Sequence, residues 1–192
     1  FGYSITEGPG RTDPRSWPLV MAAHLGNAHA VVNLGVSART MMRTGDYPYW
    51  NEPQWQQALT SSPDMANIQL GTNDAKTFQW NEEQYINDFT DMILTLQKLP
   101  SHPKVWLSIP PPNYIDNVFK MNQTVINQVL PPLIYALSQK YDCGLINIFD
   151  GMGSAMLTHS DWFVDGCHPT TPAGYAIHGE VAFSMIHWAL YA

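Results

Sequence analysis

Residues 65–76 read MANIQLGTNDAK, a short and largely apolar run that halts on Gly71, Thr72 and Asn73. A run of this length bounded by turn formers is the pattern of a strand covered on both faces, as in a parallel sheet. The same pattern recurs in HAVVNLG (29–35), KVWLSIP (104–110) and GLINIF (144–149). Between these runs lie amphipathic stretches. In NEEQYINDFTDMILTLQKL (81–99), Asn81 is placed to cap a helix, and Tyr85, Phe89, Ile93 and Leu96 recur at helical spacing. PRSWPLVMAAHLGN (14–27) reads as a shorter helix stopped at Gly26. Met121 to Tyr141 is helical in pattern, with Pro131 and Pro132 forcing a kink or a restart. A last helix is predicted after Thr171, a cap, and Pro172, a first helical residue, running through Val181 and Met185. Alternation of this kind predicts a three-layer α/β/α sandwich around a central parallel sheet.

Composition narrows what such a domain does. With 192 residues and 45% hydrophobic content, the chain suits one domain over residues 1–192 with a substantial core. Nine Lys and Arg against 16 Asp and Glu disfavour a nucleic-acid surface, and no apolar run approaches the length of a membrane span. Only Phe1 and Gly2 precede the Tyr3-Ser4 turn, where an apolar strand is expected. The first strand therefore reads as truncated, with its remainder upstream of Phe1. The compartment stays open, with a lean toward secretion, and the oligomeric state is not readable.

Ligands of open parallel sheets bind beyond the carboxyl ends of the strands, so each run is read at its end. Those ends carry Ser4, Gly35, Asn73 and, in the late loop DWFVDGCHPTTPAGY (161–175), Asp165 and His168. A serine, an imidazole, a carboxylate and several oxyanion donors are what acyl transfer requires.

Four blocks in order, Gly2-Tyr3-Ser4, Gly35, Gly71-Thr72-Asn73-Asp74 and Asp165-Gly166-Cys167-His168, resemble the SGNH hydrolases, the GDSL esterase and lipase superfamily. The texture of GDYPYWNEPQW (45–55) and LGTNDAKTFQW (70–80) is further similar to carbohydrate O-acetylesterases of that superfamily. The resemblance implies a flavodoxin-like sheet of about five strands and an esterase needing no cofactor or metal. It implies Ser4 as nucleophile, His168 as its base and Asp165 as the group that orients His168. The oxyanion hole it implies is the N–H of Ser4, the N–H of Gly35 and the Asn73 side chain. Short acetyl esters of carbohydrates are the substrates it implies. A lipid esterase or thioesterase and a non-catalytic binding or assembly subunit of the same fold are the alternatives.

Two departures bear on that resemblance. Tyr3 stands where the family has Asp, and a phenol cannot accept the hydrogen bonds a carboxylate accepts. If the tyrosine is merely tolerated, aspartate at position 3 should preserve or raise activity; if aspartate destabilises, the tyrosine is packed and the non-catalytic subunit, which Tyr3 and the missing first strand support, gains weight. Ser37-Ala38 replaces a more familiar Ser-Gly pair, a change read as neutral.

Aromatic residues cluster near the predicted mouth. Tyr49, Trp50 and Trp80 are candidate sugar platforms, Trp55 reads as loop packing, and Lys76 is either a substrate contact or solvated. The histidines other than His168 lack ligand spacing, so no metal site is assigned. Cys143 and Cys167 are able to pair or to stay reduced, and Cys167 beside His168 is a weaker candidate nucleophile than Ser4.

Overall fold

Three of the apolar runs become hydrogen-bonded strands: β1 (Met65–Ile68), β2 (Lys104–Ile109) and β3 (Gly144–Asn147). The computed structural model describes residues 1–153 and 159–191. Both pairings are parallel, in the order β1-β2-β3, with Ile68 opposite Leu107 and Leu107 opposite Leu145. The expectation of about five strands is corrected. Two further positions beside β1 are filled by single bridges, because Gly2 pairs in parallel with both Gln69 and Gly35. Gln69 N–H donates to Phe1 O at 3.0 Å, and Val36 N–H donates to Gly2 O at 3.0 Å. The run at 29–35 is irregular apart from the bridge at Gly35, with Val32 63% exposed.

Helices cover this sheet as the periodicity predicts. The four-residue helix α1 (Ser4–Glu7) follows Gly2, and α2 (Trp17–Leu25) ends at Gly26. After α3 (Pro53–Thr60), α4 (Glu82–Gln97) begins where the Asn81 side chain accepts from Gln84 N–H at 3.0 Å. It buries Tyr85, Phe89, Met92, Ile93 and Leu96. Each such side chain contributes roughly 1.5–3 kcal/mol relative to exposure. A π-helical turn over Val125–Val129 leads into α5 (Leu130–Lys140), which restarts with its prolines in the first turn, where no helical N–H is lost. α6 (Ile148–Gly151) is short, and α7 (Ala173–Tyr191) packs along α2. Its capping hydroxyl is Thr170 rather than Thr171, accepting from Gly174 N–H at 3.0 Å. No helix among the described residues is long and apolar enough to cross a membrane.

Buried tyrosines tie the ends of the apolar runs to the core. Tyr49 OH donates to Leu34 O at 2.6 Å and Tyr85 OH to Leu70 O at 3.0 Å, each reaching the carbonyl just before the glycine that ends a run. Tyr3 is also fully buried, and its OH accepts from the Thr72 hydroxyl at 2.6 Å. Burial first, and then the nearby Cys167, Tyr175 and Asp74, push its phenol well above the ordinary range. This is a site for an uncharged ring and not for a carboxylate.

Tyr3→Asp should therefore destabilise the fold by about 3–5 kcal/mol, from the lost ring and the charge buried in its place. Tyr3→Phe should cost only about 1 kcal/mol, leaving the Thr72 hydroxyl without this acceptor. Chemical denaturation checks both, and a stability gain for Tyr3→Asp would contradict the packing described.

Candidate active site

The loop after residue 162 folds onto its own carboxylate. Asp165 Oδ1 accepts from Cys167 N–H at 2.9 Å and from His168 N–H at 2.7 Å, while Oδ2 lies 2.8 Å from His168 Nδ1. Phe163 and Pro169 close the loop as an antiparallel bridge. A carboxylate three residues before the histidine thus holds both its backbone and its ring. Burial opposes ionisation of Asp165, but the hydrogen bonds from His168 and Cys167 outweigh it and keep the carboxyl below its ordinary range. With Nδ1–H donating to Asp165, Nε2 is left as acceptor for the Ser4 hydroxyl, 2.8 Å away. Ser4, His168 and Asp165 are brought together although Ser4 and His168 lie 164 residues apart.

Ser4 and His168 line a cavity of about 510 Å³. Asn73 lines it and is buried, its Nδ2 lying 3.3 Å from Arg39 O. Gly35 is placed differently from the expectation. Its N–H donates to Asn33 Oδ1 at 2.9 Å, and it does not line the cavity. The glycine is needed for packing, since a Cβ there would stand 2.2 Å from Glu7 N in α1. Ala38 lines the cavity instead, in a left-handed conformation with φ +66°. The signal for it was in the sequence: Ala38 replaces the glycine of a Ser-Gly pair, and glycine is the residue a positive φ favours.

The proposed aromatic platform is corrected as well. Tyr49 is fully buried and holds Leu34. Trp50 Nε1 donates to Met41 O at 2.7 Å, and the Arg43 guanidinium lies 3.6 Å over its ring. Trp80 packs against Tyr85 with ring centroids 5.3 Å apart. None of the three lines the cavity. Lys76 does, 8% exposed and paired with Asp46 at 2.5 Å. The aromatic lining comes from Phe78 and Phe119, which sequence reasoning missed because it rests on the pairing of two distant loops.

The remaining sequence candidates fall away from this cluster. Cys143 and Cys167 are both free. Cys143 precedes β3 whereas Cys167 sits in the His168 loop, at the other end of the sheet. Burial pushes the Cys167 thiol up to about 12, which removes it as a nucleophile. No cluster of three or more metal-ligating side chains occurs among the described residues. His178 is buried and stacks on Trp17 at 4.7 Å, and His159 stacks on Trp162 at 3.8 Å.

The segment carrying Ala38 is pinned from several sides. Ser37 N–H donates to Glu7 Oε2 at 2.8 Å, and Arg39 pairs with Glu52 at 2.6 Å. Asp74, fully buried, accepts from Met41 N–H at 2.9 Å and Met42 N–H at 2.7 Å. Burial raises its carboxyl from 3.8 to about 7 against those hydrogen bonds, which lower it.

Comparison with known proteins places the chain in one family. The family model described as GDSL-like Lipase/Acylhydrolase family matches residues 1–177. A curated relative from Xylanibacter ruminicola named acetylxylan esterase is 33% identical over 191 residues, covering 88% of this chain and 38% of its own length. The chain thus spans well under half of that relative. Among solved structures, a carbohydrate acetylesterase family member from Sinorhizobium meliloti aligns with TM-score 0.78 at 18% identity, over 100% of this chain and 97% of that one. A putative arylesterase from Agrobacterium tumefaciens aligns with TM-score 0.77 at 20% identity, over 97% and 96% of the two chains. At these identities the structural likeness establishes the fold alone.

Asp74 supplies a test by pH. In the folded chain it keeps its proton to about pH 7, against 3.8 when unfolded, so between those values the folded state binds more protons. Its contribution to stability is fully present below the unfolded value and is lost as pH rises through about 7. The melting-temperature difference between wild type and Asp74→Asn should accordingly shift against the wild type from about pH 4 to about pH 8. Scanning calorimetry across that range checks it, and a constant difference would rule the linkage out.

Proposed function

Because this chain belongs to the GDSL-like lipase/acylhydrolase family, we propose that it is a serine esterase that removes short acyl groups, acetyl above all, from carbohydrate esters. The observation that carries this reading is the hydrogen-bonded chain from Ser4 Oγ through His168 to Asp165, with both links at 2.8 Å. Ser4 attacks the ester carbonyl while His168 Nε2 takes its proton. Asp165, ionised across the neutral range, stabilises the imidazolium that forms. His168 then protonates the departing alkoxide, and an acyl-serine remains. Water, deprotonated by the same imidazole, releases the acid and restores Ser4. No step calls on a metal or cofactor.

In this reading the oxyanion is held by the Ser4 N–H, the Asn73 amide and the Ala38 N–H, with Ala38 in place of Gly35. The position of Ala38 on the cavity and the engagement of Gly35 N–H by Asn33 support that exchange. A single domain with helices on both faces of a five-position sheet belongs to the same reading. Acetyl specificity is supported by the curated relative named acetylxylan esterase and by a cavity that mixes aromatic with charged residues. The burial of Tyr3 adds weight to the non-catalytic subunit, but the Ser4 to His168 contact beside it is intact, and that contact favours the enzyme.

A fluorophosphonate probe should label the wild type and not Ser4→Ala. Ser4→Ala and His168→Ala should each reduce ester hydrolysis to near background, with no further loss in the double variant. Asn73→Ala should lower kcat by ~10²-fold with little change in KM. Steady-state kinetics on acetyl and octanoyl esters decide the acyl class. A kcat/KM that climbs with chain length would replace acetyl ester hydrolysis with the lipid or thioester alternative.

A further inference from the structure

Two loops distant in sequence combine along one side of the cavity. Thr77 N–H donates to Lys120 O at 2.9 Å, Asn122 N–H donates to Ala75 O at 2.9 Å, and Lys76 and Met121 form an antiparallel bridge. Segments 75–78 and 119–122 are thus a short two-stranded ribbon. It carries Phe78, 60% exposed, and Phe119, 52% exposed, both on the cavity. The Phe119 ring stands edge-on to His168 at 5.5 Å, so the wall begins at the base itself. The Lys120 ammonium lies 5.8 Å from the centre of the Phe78 ring.

Packing does not account for this wall. Exposed phenylalanines forfeit the burial that phenylalanine gains in a core. Asn117, Phe119 and Lys120 are also all left-handed, at φ +59°, +52° and +64°, and none is glycine. Such backbone costs of order 1–3 kcal/mol per residue and persists where surrounding structure imposes it, typically at ligand sites. Next to the wall is a polar pair. Asp46 takes one of the three N–H donors of Lys76 and keeps acceptor sites free, so the pair can both donate to and accept from hydroxyls.

A sugar ring matches both features, having C–H faces of low polarity and hydroxyls around its edge. We propose that this ribbon is the site for the alcohol half of the ester, a sugar ring lying on Phe78 and Phe119 with its hydroxyls read by Asp46 and Lys76. The assignment rests on the esterase reading above and adds the residues that select the sugar. An aliphatic alcohol fills the wall less well and leaves the ion pair without partners, which is how the site discriminates.

The test compares kcat/KM on an acetylated xylose oligomer with kcat/KM on ethyl acetate, which has no ring to stack. Phe78 is mostly exposed, so its replacement leaves the core intact, and melting temperatures verify that for each variant. Phe78→Ala should lower the sugar-to-ethyl ratio about tenfold. Phe78→Trp should restore it, and Phe78→Leu, apolar but not flat, should not. Asp46→Asn should lower the ratio through a higher KM for the sugar ester. A ratio unchanged across the Phe78 variants, or restored equally by leucine, overturns the stacking site while leaving the esterase reading in place. Inactivity of the wild type on both esters overturns the esterase reading, and this site with it.

Discussion

The wedge that Phe1 and Gly2 form between Gly35 and Gln69 determines where Ser4 leaves the sheet, and the candidate site is built outward from that point. Backbone hydrogen bonds on both sides hold the wedge, from Gln69 N–H to Phe1 O and from Val36 N–H to Gly2 O. The helix that follows runs so close to Gly35 that no side chain fits there. Ser4 is consequently aimed by backbone contacts on three sides and not by packing of its own small side chain. His168 needs its own loop only to be oriented, because Asp165, three residues earlier, captures both its N–H and its ring.

Around this point the protein uses buried polar groups as fasteners. Tyr49 and Tyr85 hold the carbonyls of Leu34 and Leu70, Thr72 holds Tyr3, and Asp74 holds two backbone N–H groups of the segment after Ala38. Each contact is worth only about 1 kcal/mol net, but an unpaired buried group would cost more, so the fasteners specify geometry more than they stabilise the fold. Asp74 exposes the tension in this arrangement. A carboxylate suits two N–H donors, yet full burial raises its affinity for a proton enough to bring its titration near neutrality.

The cavity mouth follows another logic. Its wall is a ribbon joined by two backbone hydrogen bonds around one bridge, with aromatic rings exposed and non-glycine residues left-handed at Phe119, Lys120 and the nearby Asn117. Local stability is given up there for a shaped surface beside the imidazole. The Lys76 to Asp46 pair is shielded enough for its hydrogen bonds to be stronger than those of a solvated surface pair. Such a mouth differs in kind from the fastened segment that carries Ala38.

Much of this was legible in the sequence. Three of the four apolar runs are strands, Asn81 caps its helix, and the residues at helical spacing in α4 are the buried ones, because periodicity records burial directly. Ser4, Asn73, Asp165 and His168 were readable because each sits beside a turn former at the end of a run or in one short loop. The roles of Tyr49, Trp50 and Trp80 were not, since an aromatic residue in a loop looks the same whether it faces a cavity or a core. That Ala38 and not Gly35 lines the cavity was hidden for a related reason: a glycine in the sequence does not say whether the missing side chain makes room for a ligand or for a neighbouring helix. What the sequence by itself determined is the alternation of apolar runs with helices and the identity of the candidate reacting side chains, because these depend on local pattern. Tertiary structure alone decided the cavity wall, the second candidate oxyanion donor and the burial of Tyr3, because each depends on which distant backbone comes within a few ångströms.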